Sequence, residues 1–136
     1  MFVIQLDDVE LEESRIEGQE GARWRTATVH GPGTGAAASG SSLLEVPAAC
    51  VLARHTDSAE ELIVVLAGEA DAIVGDETER VRAGGMALVP KNVPHEVRNA
   101  GDEDLRFLAL YAESDVTTTY EHPVEPSGER ERTPVA

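Results

Sequence analysis

The chain has 136 residues, 41% of them hydrophobic, and its 11 Lys and Arg against 26 Asp and Glu leave a formal net charge of −15. This is the size of one domain with an ordinary buried core, and the charge disfavours phosphate backbones and anionic bilayers, so neither nucleic acid nor membrane is an expected partner. Cys50 is the only cysteine, which excludes an internal disulfide and the Cys-rich zinc modules.

The opening residues, Met1-Phe2-Val3-Ile4-Gln5-Leu6 before Asp7-Asp8, lack the basic start and long apolar run of a signal peptide. No segment reaches the length of a membrane span, and a cytoplasmic protein is expected. Residues 2–6 and 23–30 read as short strands. The second carries Trp24 and runs into Gly31-Pro32-Gly33-Thr34-Gly35, which with Ala36 to Ser42 is expected to be a loop. From Leu43 the texture changes. Apolar and β-branched runs recur at 43–46, 50–55, 61–66, 70–74, 78–82, 86–90, 95–99 and 105–112, separated by turn residues such as Gly75-Asp76 and Gly84-Gly85. Short strands at this spacing predict an all-β sandwich or barrel, with room for at most one helical turn at 57–61. The chain therefore divides into 1–42, strands and a Gly-rich loop that complete the barrel; 43–112, the barrel core; and 113–136. This last stretch is rich in Glu, Pro, Thr and Ser, lends Val116 to Tyr120 to an edge strand or a dimer partner, and ends in a mobile tail.

Alternate residues of a strand face opposite sides of a sheet. His55 and Asp57 therefore share a face, joined by Glu61 if the path stays extended, while Glu60 points away. Both faces of 61–66 are apolar, Ile63 and Val65 on one and Leu62, Val64 and Leu66 on the other. The outer side must meet a second sheet or another subunit. Phe107, Ala109 and Tyr111 on the inner face would turn Arg106 outward. His95, Val97 and Asn99 form a third same-face set.

Two histidines and two carboxylates, His55, Asp57, Glu61 and His95, gathered from separate strands make a competent site for one divalent metal such as Fe, Mn, Ni or Zn. Two anionic ligands would neutralise the ion and favour a higher oxidation state if it is redox-active. Trp24, Met86, Phe107 and Tyr111 are candidates for a substrate pocket, each with ordinary core as the plainer reading. Arg25, on one face with Arg23, could hold a substrate carboxylate, against a solvent-facing pair among many acids.

These residues resemble the cupins. That family's patterns, G-x5-H-x-H-x3,4-E-x6-G and G-x5-P-x-G-x2-H-x3-N, match in spacing Ala49, His55-Thr56-Asp57, Glu61 and Gly68, then Gly84, Pro90, Asn92, His95 and Asn99. Ala49 and Asn92 stand where the family has glycine, and Asp57 stands where it has the second histidine. The resemblance implies a double-stranded β-helix, a jelly-roll barrel commonly paired into homodimers through outer strands. It also implies metal ligation by His55, Glu61 and His95, with Asp57 carried over by position only. Metal-bearing cupins include dioxygenases, isomerases, decarboxylases, lyases and cyclases, beside proteins that only bind or sense. The expectation is a metal-dependent enzyme acting on a small-molecule substrate, with dioxygenase-like chemistry favoured. A non-redox isomerase, cyclase or lyase is the alternative, and a binding or sensor domain a third reading. Asp57 and Glu61 are the candidate catalytic carboxylates. His55-x-Asp57 with His95 also spells the 2-His-1-carboxylate pattern of non-haem iron oxygenases. Arg106 as the clamp of a 2-oxoglutarate dioxygenase is the minor variant, since parity turns it outward.

Overall fold

The computed structural model describes residues 1–133; the expected mobile end of the tail, residues 134–136, lies outside the described residues. Its strands are β1 (Glu12–Arg15), β2 (Arg23–His30), β3 (Gly40–Val46), β4 (Val51–Asp57), β5 (Glu61–Ala67), β6 (Glu69–Val74), β7 (Glu77–Arg82), β8 (Met86–Val89), β9 (His95–Asn99), β10 (Leu105–Tyr111), β11 (Thr118–Val124) and β12 (Glu129–Arg132). They form two six-stranded sheets, ordered β1-β2-β3-β10-β5-β8 and β12-β11-β4-β9-β6-β7. Every pairing between these strands is antiparallel. This is the expected all-β, two-sheet architecture.

Period-2 patterning places the core between the sheets. Trp24, Val46, Ile63, Val65, Phe107 and Ala109 of the first sheet meet Leu52, Ala72, Val97, Tyr120 and Val124 of the second, all buried. Burying one such aliphatic or aromatic side chain contributes about 1.5–3 kcal/mol, and it fixes register, since a one-residue slip would turn Ile63 and Val65 out of the core.

Four family-pattern positions are turns with left-handed backbone: Ala49 at φ 64°, Gly68 at φ 80°, Gly84 at φ 87° and Asn92 at φ 63°. At Gly68 a Cβ would stand 2.9 Å from the Asp104 carbonyl oxygen, so glycine is required there by both conformation and contact. Asn92 adopts this region at little cost, whereas Ala49 bears the steric penalty of its Cβ.

Several sequence expectations change. Residues 2–6 form no strand; the segment holds only a 3-10 turn at Leu6–Asp8, because its apolar run meets no strand edge among the described residues. Residues 58–60 bend without a helical turn. β3 begins at Gly40, inside the expected loop. β1 and β12 carry no apolar alternation and were not foreseen. Each is the outermost strand of its sheet, with little buried surface to encode, and of β1 only Ser14 is buried. Where β5 and β8 pair, the outer face of the first sheet is apolar, as the two-sided pattern of 61–66 requires. Leu66, Met86 and Leu88 are 39%, 57% and 54% exposed, too much for core residues.

Candidate metal centre

His55 and Asp57 lie at the end of β4, Glu61 opens β5 and His95 opens β9, and all four are buried. Pairing of β4 with β9 sets His55 opposite His95, with ring centroids 4.2 Å apart. The bend at 58–60 carries the chain from the second sheet to the first, which is how Glu61 reaches the same place from the opposite wall. Glu60 is exposed, as parity requires.

The outer atoms of these side chains are already engaged. His55 Nδ1 lies 2.6 Å from the Ala53 carbonyl oxygen and His95 Nδ1 2.9 Å from that of Val93. Each ring thus donates from Nδ1 and turns Nε2 inward. Thr118 Oγ1 donates to Asp57 Oδ1 at 2.6 Å, leaving Oδ2 for the interior. There His95 Nε2 stands 2.9 Å from Glu61 Oε1 and 3.1 Å from Asp57 Oδ2, and His55 Nε2 stands 3.6 Å from Asp57 Oδ2. His95 Nε2, Asp57 Oδ2 and Glu61 Oε1 are nevertheless buried without an aligned hydrogen-bond partner. Unpaired buried polar atoms are costly, and converging imidazole nitrogens and carboxylate oxygens are the donor set of a divalent ion. The side chains therefore fit a metal. His55, Asp57 and His95 offer ligand atoms all within 4.8 Å of one another and could hold an ion. Glu61 is outside that tightest set and approaches it through His95.

The electrostatics agree with the geometry. Burial, assisted by the neighbouring His95, pushes His55 down to about 4, so its ring is neutral with a free Nε2 lone pair. Burial also opposes charge on His95, but Asp57 and Glu61 outweigh it and lift His95 to about 10. Burial raises Glu61 to about 7, against the pull of His95 and with the repulsion of Asp57. For Asp57 burial acts upward too, yet His95, His55 and the Thr118 hydroxyl hold it below the usual carboxylate value. A proton on His95 thus occupies the position that an ion's charge would take.

A cavity of ≈ 620 Å³ opens onto His55 and Glu61, lined also by Thr28, His30, Tyr111, Thr118 and Tyr120. Tyr111 is thus at the pocket; the other pocket candidates are elsewhere. Trp24 and Phe107 are fully buried core, and Met86 lies on the far edge of the barrel beside a separate cavity. Arg25 is not in the cavity wall, because it is drawn into ion pairs with Glu45 at 2.7 Å and Asp104 at 2.9 Å. Arg23 pairs with Glu13 at 3.4 Å. Arg106 bonds Asp7 on the outer side. Sequence reasoning passed over Thr118 and Tyr120 as site residues. Tyr120 packs 5.0 Å from His55 and 5.3 Å from Trp24, and both belong to the polar C-terminal stretch, where no motif marks them.

Among solved structures the chain is similar to oxalate decarboxylase of Lactobacillus farciminis in a formate complex, at 18% identity and TM-score 0.72 over 85% of this chain and 34% of that one. It is similar to a mutant of Bacillus subtilis oxalate decarboxylase at 22% identity and TM-score 0.65 over 79% and 30%. A third match, from work on the Mn(II) centres of the Bacillus subtilis enzyme, has 23% identity and TM-score 0.57 over 74% and 28%. The chain spans about a third or less of the length of these enzymes, and at such identities the likeness establishes the fold. No curated protein of similar sequence is found. The model of the cupin domain matches residues 42–111, just over half of the chain and the stretch that carries His55, Asp57, Glu61 and His95, so the chain belongs to the cupin domain family.

Proposed function

We propose that the protein is a metal-dependent enzyme acting on a small molecule, with chemistry of the dioxygenase type. The observation that carries this reading is the trio of buried, unpartnered atoms, His95 Nε2, Asp57 Oδ2 and Glu61 Oε1, of which Glu61, together with His55, lines a ligand-sized cavity. His55, Asp57, Glu61 and His95 would hold the ion. When bound, it would supply Lewis acidity and, if redox-active, electron transfer toward oxygen. Two carboxylates balance a dication, which favours the redox form of the chemistry. Mn is the ion named for a structural neighbour, and Fe, Ni and Zn suit the same ligands.

The chain's own groups have separable tasks. Asp57, with one oxygen tied to Thr118, is a ligand rather than a mobile base. Glu61 would serve as a ligand when the ion is bound; without metal, burial raises it to about 7, so if it is released from the ion it can hold or pass a proton near neutrality. Tyr111 is partly buried in the cavity wall near Glu61 and Asp57, and loss of solvation together with those carboxylates raises its pKa well above the ordinary value; it remains a phenol and offers an O–H toward a substrate oxygen. Glu61 favours the second reading, a non-redox isomerase, cyclase or lyase in which it is the base. Metal analysis of the purified protein, with turnover of enol and enediol substrates under air and under argon, separates them. Iron or manganese with oxygen uptake is expected. Oxygen-independent turnover with zinc would move the assignment to the second reading. A metal-free protein whose His55→Ala and His95→Ala variants keep unaltered ligand binding would make it a binding module.

We also infer that two copies pair through the outer face of β5 and β8. At a net charge of −15, copies repel over most of their surface, whereas Leu62, Val64 and Leu66 of β5 with Met86 and Leu88 of β8 present adjacent uncharged residues. Exposed apolar patches of this kind mark interaction sites.

A further inference from the structure

Resting on the metal-centre reading for its inner end, we propose that the cavity selects small molecules without net negative charge, which present a hydroxyl or carbonyl oxygen to the ion, and discriminates against small carboxylates. The cavity lies between β1, β2 and β3 on one side and β11 and β12 on the other, with His55 and Glu61 at its inner end. Glu10, Glu12 and Glu13 stand in the first wall and Glu129 and Glu131 in the second. Of these five, only Glu13 pairs with a cation among the described residues, Arg23 at 3.4 Å. Carboxylates on both sides of one low-dielectric opening add their fields along the approach path, repelling anions and concentrating cations.

The interior does not reverse that sign. A dication held by Asp57 and Glu61 with two neutral imidazoles carries no net charge, so the inner end lacks the excess positive charge that would draw in an anion. Arg132 is the one Lys or Arg among the lining residues. Its Nη1 donates to Ser14 Oγ at 2.9 Å and its guanidinium sits over the Tyr120 ring at 5.9 Å, so it is held to the wall. Arg25, the sequence's candidate for a carboxylate clamp, is outside and ion-paired. Between rim and centre the polar groups are the hydroxyls of Thr28, Ser41, Ser42, Tyr111, Thr118 and Tyr120 and the His30 ring, whose two nitrogens are engaged by the Ser41 and Ser39 hydroxyls. Hydroxyls donate and accept without fixing a charge, and Leu44, Leu52 and Val116 give the same walls apolar area. A neutral or cationic ligand with oxygen functions meets complementary groups at each depth. A dicarboxylate meets like charge at the entrance and no free cation within.

The test uses three probes with the same chelating group and different charge: dopamine, catechol and 3,4-dihydroxybenzoate, titrated anaerobically by calorimetry into the Mn(II)-loaded protein, with oxalate as a fourth. Mn(II) loading is followed first and separately by electron paramagnetic resonance. The expected order is dopamine, then catechol, then 3,4-dihydroxybenzoate, with about tenfold between the extremes at low salt and less at high salt. Glu129→Gln with Glu131→Gln, both exposed positions, should compress that ratio severalfold, which separates the rim from differences intrinsic to the probes. Oxalate or 3,4-dihydroxybenzoate binding as tightly as dopamine would overturn the proposal, as would a ratio unmoved by the rim variant, or no binding of any probe to Mn(II)-loaded protein. If Mn(II) itself does not bind, the metal-centre reading fails. The charge order is then read on the metal-free cavity, where the same rim acts and the same outcomes decide.

Discussion

Asp57 occupies the place where the family carries a second histidine, and its contribution depends on what holds it. Thr118 Oγ1 takes one carboxylate oxygen at 2.6 Å across 61 residues of sequence, so the aspartate presents a single oxygen toward His95. Removing a hydrogen bond that orients a metal ligand costs about 10–100-fold in affinity. Thr118→Val is therefore expected to weaken Mn(II) binding by about that factor, with Thr118→Ser close to the native protein. Calorimetric titration of both variants checks this, and equal affinity in all three proteins would leave Thr118 without a positioning role. At this scale His55, Glu61 and His95 were legible, because motif spacing and strand parity are local and periodic. Thr118 was not, since its partner is distant in sequence and threonine in a polar tail carries no pattern.

Among the elements, two turns invite opposite substitutions. Ala49 has φ 64° where the family pattern has glycine. Ala49→Gly should relieve left-handed strain of about 1–2 kcal/mol, less the entropy that glycine adds to the unfolded chain, for a net gain of up to about 1 kcal/mol. Gly68→Ala adds the same strain and a Cβ 2.9 Å from backbone oxygen, so a loss of at least about 2 kcal/mol is expected. Urea unfolding midpoints measure both. Destabilisation by Ala49→Gly would mean that the alanine methyl contributes packing that outweighs its backbone cost. The strands β4 to β6 and β8 to β10 were readable because they are buried on at least one face and must alternate, while the mostly exposed β7 was delimited by the turns at Gly75-Asp76 and Gly84-Gly85. The edge strands β1 and β12 were not, being mostly exposed and free to be polar. Residues 2–6 are apolar like a strand but have no partner among the described residues, and β structure requires one.

For the molecule as a whole, the buried His and carboxylate cluster ties stability to pH, and on the metal-centre proposal to the ion as well. Without metal, His95 raised from 6.5 to about 10 contributes stability that is complete below about pH 6.5 and lost as pH rises toward 10. Glu61, raised from 4.5 to about 7, favours its neutral form in the fold, so its share also falls with rising pH, over a lower window. The Tm of chelator-treated protein should thus fall between about pH 7 and pH 9.5, and the Tm gain on adding Mn(II) should grow over that interval as fewer protons compete for the ligands. Thermal melts of native and His95→Gln protein check it, the variant being expected to lack the slope. Separately, Met86→Lys with Leu88→Lys should convert a dimer into a monomer by light scattering. A native chain already monomeric at micromolar concentration would remove the outer face as an interface.

The sequence by itself determined the all-β class, the inner and outer faces of the strands, and that His55, Asp57, Glu61 and His95 share one inner face as candidate ligands. Periodicity and spacing are properties of the backbone that every local stretch must obey. Only the tertiary structure decided which atoms of those residues turn inward, that Thr118 and Tyr120 stand beside them, and that Arg25 is consumed on the outer surface while carboxylates line the entrance. Those outcomes depend on which strands become neighbours across the two sheets, and nothing local in the chain encodes that.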